Sequence, residues 1–261
     1  MVHVNAIRAL EDNFMYVVRK NANESKVLVV DPVNMEKIEQ FVKENKLEVT
    51  GALLTHHHWD HAGGTPDFRK MYPNAEKVPI IGGDERIDKL NMKVNHDEQF
   101  EIAGLKIRCL HTPCHTRGHI CYHITTDVSA SGIVLTGDTL FIAGCGKFFE
   151  GSADEMHRNL NVILGALPDD TRVYPGHEYT ASNLKFAHHI EPSNKDIEQK
   201  LKWAIEMKTK DEDTVPSSIG EEKKINPFMR VATSEELQKR LNTKDLVEGM
   251  KLLREAKNNF R

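Results

Sequence analysis

A chain of 261 residues with 39 % hydrophobic and 28 % charged side chains has the makeup of an ordinary globular protein, long enough to bury a core without staples. A formal net charge of −4 and a pI near 6.4 exclude the global basic field that recruits nucleic acid or an acidic membrane surface. No apolar run approaches the roughly 18 residues needed to cross a bilayer, and the first residues show no signal-peptide or Arg-rich presequence pattern, so a cytoplasmic protein is expected.

The opening "MVHVNAIRALEDNFMYVVRK" alternates as strands do, and "SKVLVVD" follows as an apolar run ending in a carboxylate. "NMEKIEQFVKENK" predicts a helix capped by Asn34, with Ile38, Phe41 and Val42 on one stripe. Further strand-like runs are "VTGALLT", "KVPIIGG", "FEIAGLKIRCL", "HICYHIT", "GIVLTGD" and "TRVYPG". "DEMHRNLNVILGAL" interrupts them with Met156, Leu160, Ile163 and Leu167 at helical spacing. After about residue 175 the pattern turns helical. "SNKDIEQKLKWAIEMK" carries Ser193 and Asp196 in a capping-box arrangement, "TSEELQKRL" repeats it with Thr233 and Glu236, and Leu246, Met250 and Leu253 form a last stripe. "DEDTVPSSIGEEKKINPF" is polar with two prolines and is expected to be a loop. The division that follows is an α/β domain over 1–175 and a helical domain over 176–261. Cys109, Cys114, Cys121 and Cys145 form no CxxC pair and are expected to be reduced thiols.

"LLTHHHWDHAGG" places four histidines and an aspartate within six positions. Residues two apart in a strand share a side, so His56 and His58 project together while His57 turns away. Asp60 and His61 follow where "WDHAGG" turns into a helix, and their side chains diverge from the first pair. One tetrahedral ion cannot easily take all four, whereas two ions can. Other strand ends supply the rest: His115 in "HTPCHTRGH", Asp138 after "GIVLTG", and His177 after "TRVYPG". An apolar strand ending in a lone carboxylate is unfavourable unless a cation sits there. Sorted by reach, His56, His58 and His115 hold one ion and Asp60, His61 and His177 the other, with Asp138 bridging them.

This pattern, His56-His57-His58-Trp59-Asp60-His61 with His115, Asp138 and His177 in order, resembles the metallo-β-lactamase superfamily. "THHHWDHAGG", "TPCHTRGHICY", "LTGDTLF", "AGCGKFFEG", "GHEYT" and "NPFMR" look more closely like the glyoxalase II (hydroxyacylglutathione hydrolase) family, nearly end to end. The resemblance implies a four-layer αβ/βα sandwich followed by a smaller all-helical domain. It implies hydrolysis of S-(2-hydroxyacyl)glutathione, the thioester formed in methylglyoxal detoxification, with Asp60 and Asp138 also serving the chemistry. The implied cofactor is two divalent ions, zinc foremost, with iron and manganese also suited to mixed His and carboxylate ligands. The implied substrate contacts are Lys147, Phe148, Phe149, His177, Tyr179, Arg254 and Lys257 in a monomer. One position departs from the family pattern: Phe149 stands where many relatives carry tyrosine, which removes a phenolic hydroxyl from the substrate's side.

From the residues alone, Arg254 and Lys257 are an i, i+3 basic pair on one helical face. "AGCGKFFEG" matches neither GxGxxG nor a phosphate-binding P-loop. His119 is expected to support the ligands as a hydrogen-bond donor, and His57, His111 and His123 to be structural. The alternatives are a single-iron persulfide dioxygenase of the same fold, which the second ligand set disfavours, and a closed, non-catalytic metal module, which seven mixed ligands for two ions disfavour.

Overall fold

Strands apolar on both faces must be covered twice, and that requirement organises the molecule. The computed structural model describes residues 1–260. In chain order come β1 (His3–Ala9), β2 (Asn13–Arg19), β3 (Lys26–Val30), helix α1 (Met35–Glu44), β4 (Glu48–Leu53), α2 (Trp59–Ala62), α3 (Thr65–Met71), β5 (Ile80–Gly82) and β6 (Met92–Lys93). These six strands form one sheet in sequence order, antiparallel from β1 to β3 and parallel from β3 to β6.

A second sheet takes β7 (Gln99–Ile102), β8 (Leu105–His111), β9 (Ile120–Thr126) and β10 (Ser129–Gly137). It continues with β13 (Arg172–Pro175) and β14 (Ser217–Ser218), in the order β14-β13-β10-β9-β8-β7. Between β10 and β13 lie the small hairpin β11 (Leu140–Phe141) and β12 (Gly144–Cys145), helix α4 (Ala153–His157) and a π-helical stretch Arg158–Leu164. The remainder is α5 (Thr180–Ile190), α6 (Lys195–Thr209), α7 (Ile219–Ile225), a 3-10 turn Pro227–Met229, α8 (Glu235–Leu241) and α9 (Leu246–Asn259).

Alternate residues of each strand go to different cores. Phe14, Tyr16, Leu28, Val30 and Leu53 of the first sheet meet Ile107, Tyr122, Ile133 and Leu135 of the second. Met15, Val17, Val27 and Val29 face outward under Ile38 and Val42 of α1 and Phe68 of α3. Val134 and Val173 of the second sheet face Met156, Leu160 and Leu164, with Leu253 of α9 in the same cluster. The result is the expected αβ/βα sandwich, with helices 176 onward packed on the second sheet's outer layer.

Several local expectations are corrected. "FEIAGLKIRCL" is two strands, because Ala103 and Gly104 both take positive φ and turn the chain into a hairpin. The caps of α6 and α8 are Asn194 and Ser234, each one residue after the expected Ser193 and Thr233. The expected loop in "DEDTVPSSIGEEKKINPF" contains β14, α7 and the 3-10 turn. Its apolar spacing hides the helix: Ile219 and Ile225 are buried at the two ends, and the middle is held by a buried Glu222.

Three backbone bonds join the sheets at one edge: Ile120 N donates to Thr55 O, Phe14 N to Gly176 O and Glu178 N to Asp12 O, each at 2.8 Å. The ends of β4, β10 and β13 and the β8–β9 connection converge there. Gly137, at φ +45°, is required at this junction, since a Cβ would lie 2.6 Å from Thr55 Oγ1 and 2.8 Å from His119 Nε2.

Candidate metal centre

β4 stops at Leu53, so His56 and His58 project from the loop after the strand rather than from the strand itself. They meet nonetheless: His56 Nε2 lies 3.1 Å from His58 Nδ1, which lies 3.1 Å from His115 Nε2. His57 turns the other way, to 3.3 Å from Asp84. Asp60 and His61 stand on α2, and His61 Nε2 lies 3.2 Å from His177 Nε2. Asp138, nearly fully buried, divides its carboxylate between the groups. Oδ2 is 3.4 Å from His115 Nε2, while Oδ1 is 3.3 Å from His61 Nε2 and 3.4 Å from His177 Nε2. Donor atoms of His56, His58 and His115 lie within 4.8 Å of one another, as do those of Asp60, His61 and His177.

The far nitrogens show which way the lone pairs point. Asp31 accepts from Thr55 Oγ1 (2.7 Å) and from His61 Nδ1 (2.9 Å), which leaves the Thr55 oxygen to accept from His56 Nδ1 (3.0 Å). His115 Nδ1 donates to Lys147 O (3.0 Å) and His177 Nδ1 to Asp12 (2.8 Å). With protons on those far nitrogens, the near nitrogens turn lone pairs on one another at about 3 Å. Asp138 Oδ1 is buried without a hydrogen-bond donor. Buried facing acceptors are costly unless a cation lies among them, so the residues fit two divalent ions.

The electrostatics agree. Burial, then His61, pushes His56 down, and burial with His115 brings His58 to about 4. On the other side burial opposes the charged form but loses. Asp138 and Asp31 raise His61, and the Asp138 and Asp60 carboxylates beside it lift His177 to about 10. One half of the site rejects protons while the other demands positive charge, and a metal cation meets both conditions. Asp31, Asp12, Thr55 and Asn13, whose amide donates to Asp60 Oδ2 at 3.0 Å, went unflagged in the sequence. Asp31 carries the signal that exposed Asp138, a carboxylate ending an apolar strand in "SKVLVVD". His119 supports the site as an acceptor rather than a donor: its Nε2 takes the Asp138 N–H at 3.1 Å, and its ring stacks on His56.

A cavity of about 520 Å³ opens over these ligands. His58, Asp60, His115, Asp138 and His177 line it, together with Lys147, Phe149, Tyr179, Arg254 and Lys257. Tyr179 stacks on His177 (4.7 Å, 4°), and the exposed Phe149 ring lies 5.1 Å from that of His115. Phe148 packs against the core and does not line the cavity. Arg254 is buried rather than solvated, its guanidinium donating to Cys145 O at 2.8 Å, and Lys257 is half-buried 3.5 Å from Ser182. Beside Phe149, Glu150 accepts from Arg86 (2.6 Å) and from the Arg117 N–H (2.6 Å), which fastens this lip to the loops after β5 and β8. The four cysteines are buried and unpaired.

The model of the metallo-beta-lactamase superfamily matches residues 10–177, and that of the hydroxyacylglutathione hydrolase C-terminus matches 178–260. A hydroxyacylglutathione hydrolase-like protein of Gallus gallus is 42 % identical over 99 % of this chain and 90 % of its own length. A cytoplasmic hydroxyacylglutathione hydrolase of Arabidopsis thaliana is 40 % identical over 98 % of both. Among solved structures, ETHE1 from Myxococcus xanthus shares the fold with a TM-score of 0.68 at 24 % identity, covering 99 % of this chain and 92 % of its own. The chain belongs to the hydroxyacylglutathione hydrolase family of the metallo-β-lactamase superfamily.

Proposed function

We propose that this chain is a binuclear metal-dependent thioesterase that hydrolyses S-D-lactoylglutathione to glutathione and D-lactate, the second step of methylglyoxal detoxification. One observation carries it: a single cavity is lined by parts of both cation-demanding ligand sets and by three basic side chains, Lys147, Arg254 and Lys257. Glutathione carries two carboxylates, and charge-assisted hydrogen bonds to them need such cations. The names of the Gallus gallus and Arabidopsis thaliana relatives support the same substrate.

In this proposal His56, His58 and His115 hold one ion, Asp60, His61 and His177 the other, and Asp138 both. Zinc is the first choice, with iron or manganese equally compatible with these ligands. Bound divalent ions supply Lewis-acid chemistry, polarising a carbonyl oxygen and lowering the pKa of a shared water toward ~7. The protein's own part is positional. Asp31, Thr55, Asp12 and the Lys147 carbonyl keep protons on the far histidine nitrogens, so that the near lone pairs face the proposed ion sites. Lys147, Tyr179, Arg254 and Lys257 hold the glutathione portion, with Phe149 a wall without a hydroxyl. A thiolate leaves readily without a proton donor, so no further acid is needed in the cavity.

Residues 1–175 form the domain that supplies every proposed metal ligand except His177, and 176–261 the helical domain that brings Tyr179, Arg254 and Lys257 to the cavity. A monomer in the cytoplasm completes the proposal; no helix among the described residues is long and apolar enough to cross a membrane. The test is metal analysis of the purified protein with thioester absorbance followed on S-D-lactoylglutathione. About two equivalents of metal, with hydrolysis lost on chelation and regained on metal return, is the expected result. A fully loaded protein inert toward this thioester would overturn the proposal.

A further inference from the structure

"NPFMR" at 226–230 has no part in the metal chemistry, yet its first residue is among the most connected polar groups in the molecule. Asn226 is fully buried. Its Nδ2 donates to Phe141 O (3.2 Å), Gly144 O (3.0 Å) and Glu222 Oε2 (3.0 Å), while its Oδ1 accepts from Phe228 N (3.1 Å). The two carbonyls lie on opposite strands of the β11–β12 hairpin. Glu222 Oε2 also accepts from Ala143 N (2.8 Å) at the hairpin tip, where Ala143 takes φ +54°. Asn183 donates to the neighbouring Ile142 O (3.1 Å). A hairpin with two residues per strand has few bonds of its own and takes its shape from such partners.

What this hairpin carries belongs to the cavity. Phe141 meets His177 and Tyr179 edge-on, with centroids 5.9 and 5.1 Å away. The carbonyl of Cys145 accepts from Arg254, and Lys147 follows two residues later. Phe228 completes the arrangement from the other side, its ring 5.6 Å from the Arg254 guanidinium. Only an amide suits position 226, because a carboxylate would set acceptor against acceptor at every one of its carbonyl partners.

We propose that Asn226 and Phe228 are positioning residues for the glutathione end of the substrate. Asn226 shapes the hairpin that carries Lys147 and the carbonyl holding Arg254, and Phe228 supports the Arg254 guanidinium at the cavity wall. This rests on the glutathione thioester reading above. Neither residue lines the cavity or touches a metal-ligand candidate, so both act on binding that is equal in ground and transition states.

The test compares wild type, Phe228→Leu and Asn226→Ala on S-D-lactoylglutathione and on a simple thioester lacking glutathione. Metal content, melting and the Kd for free glutathione are measured alongside. Each variant should raise KM for the glutathione thioester, and Kd for glutathione, by about threefold to tenfold, the effect of one lost cation–π or positioning contact. Its kcat, metal content and turnover of the simple thioester should stay within about twofold. If Asn226→Ala does not fold, Phe228→Leu decides. A folded, metal-loaded Phe228→Leu with unchanged KM and Kd overturns the positioning role, as does equal damage on both thioesters. A wild type inert on S-D-lactoylglutathione overturns the functional reading, and this proposal with it.

Discussion

A histidine ligand has two nitrogens, and whatever grips the far one sets how well the near one binds. Asp31 does this for two ligand candidates, His61 directly and His56 through Thr55, while the Thr55 N–H bonds its other oxygen at 2.8 Å. Its φ of +45° suits asparagine as well, so Asp31→Asn keeps the backbone but turns an N–H₂ toward at least one donor. That change should weaken the ion held by His61 by about tenfold to a hundredfold, read by competition with a chelator. Retention of both equivalents at wild-type affinity would remove Asp31 from this role. The seven ligand candidates were legible because HxHxDH spacing and carboxylates or histidines at strand ends are rare and costly without a cation. Asp12 was not, because an aspartate in an exposed turn looks the same whether or not a histidine leans on it.

At the scale of elements, α7 stands out because its middle is a buried acid, Glu222. Burial lifts the Glu222 carboxyl to about 7, from an ordinary value of 4.5, although Ser217, Ala143 and Asn226 all donate to it. Between those two pH values the folded protein keeps a proton that the unfolded chain has released. Stability therefore falls as pH rises from about 4.5 to about 7, by on the order of 3 kcal/mol from this group. Glu222→Gln stays neutral; its carbonyl can accept from Ala143 and Asn226 while its amide donates to Ser217. Melting followed from about pH 5 to about pH 8 should show the variant overtaking wild type as pH rises, and parallel curves would contradict the assignment. The same buried acid explains why the sequence pattern of α7 resembles a loop: a polar centre and only two buried isoleucines leave no apolar stripe. Strands were easier. Runs such as "VLVV" and "IVLT" are apolar on both faces, and only a two-layer cover satisfies them.

For the molecule as a whole, the helices after 175 are not set apart in space from the sandwich that carries most of the ligand candidates; they pack on its second sheet. Arg254 on α9 bonds the Cys145 carbonyl of the hairpin, so Arg254→Ala orphans a buried acceptor and should lower the melting temperature as well as glutathione affinity. Lys257 is the cleaner probe. Lys257→Ala should raise KM for a glutathione thioester by about tenfold, leave kcat nearly unchanged, and not alter a simple thioester. Equal loss on both substrates would mean damage to folding. The sequence showed this pair only as basic residues on one helical face; that one is buried depends on a hairpin more than a hundred positions earlier, which no local pattern reports. The edge where the sheets meet has a thermodynamic consequence of its own. His56, His58, Asp60 and His61 follow a strand of one sheet, whereas His115, Asp138 and His177 belong to the other, so the proposed cations would act as a clasp between the two layers. Ligands that favour only the closed arrangement stabilise it by mass action. Stripping the metal should therefore lower the melting temperature and speed hydrogen exchange first at the Ile120 and Phe14 amides, whose bonds cross between the sheets, before the distal strand ends open. Exchange at those two amides that metal removal leaves unchanged would show that the layers hold together without the clasp.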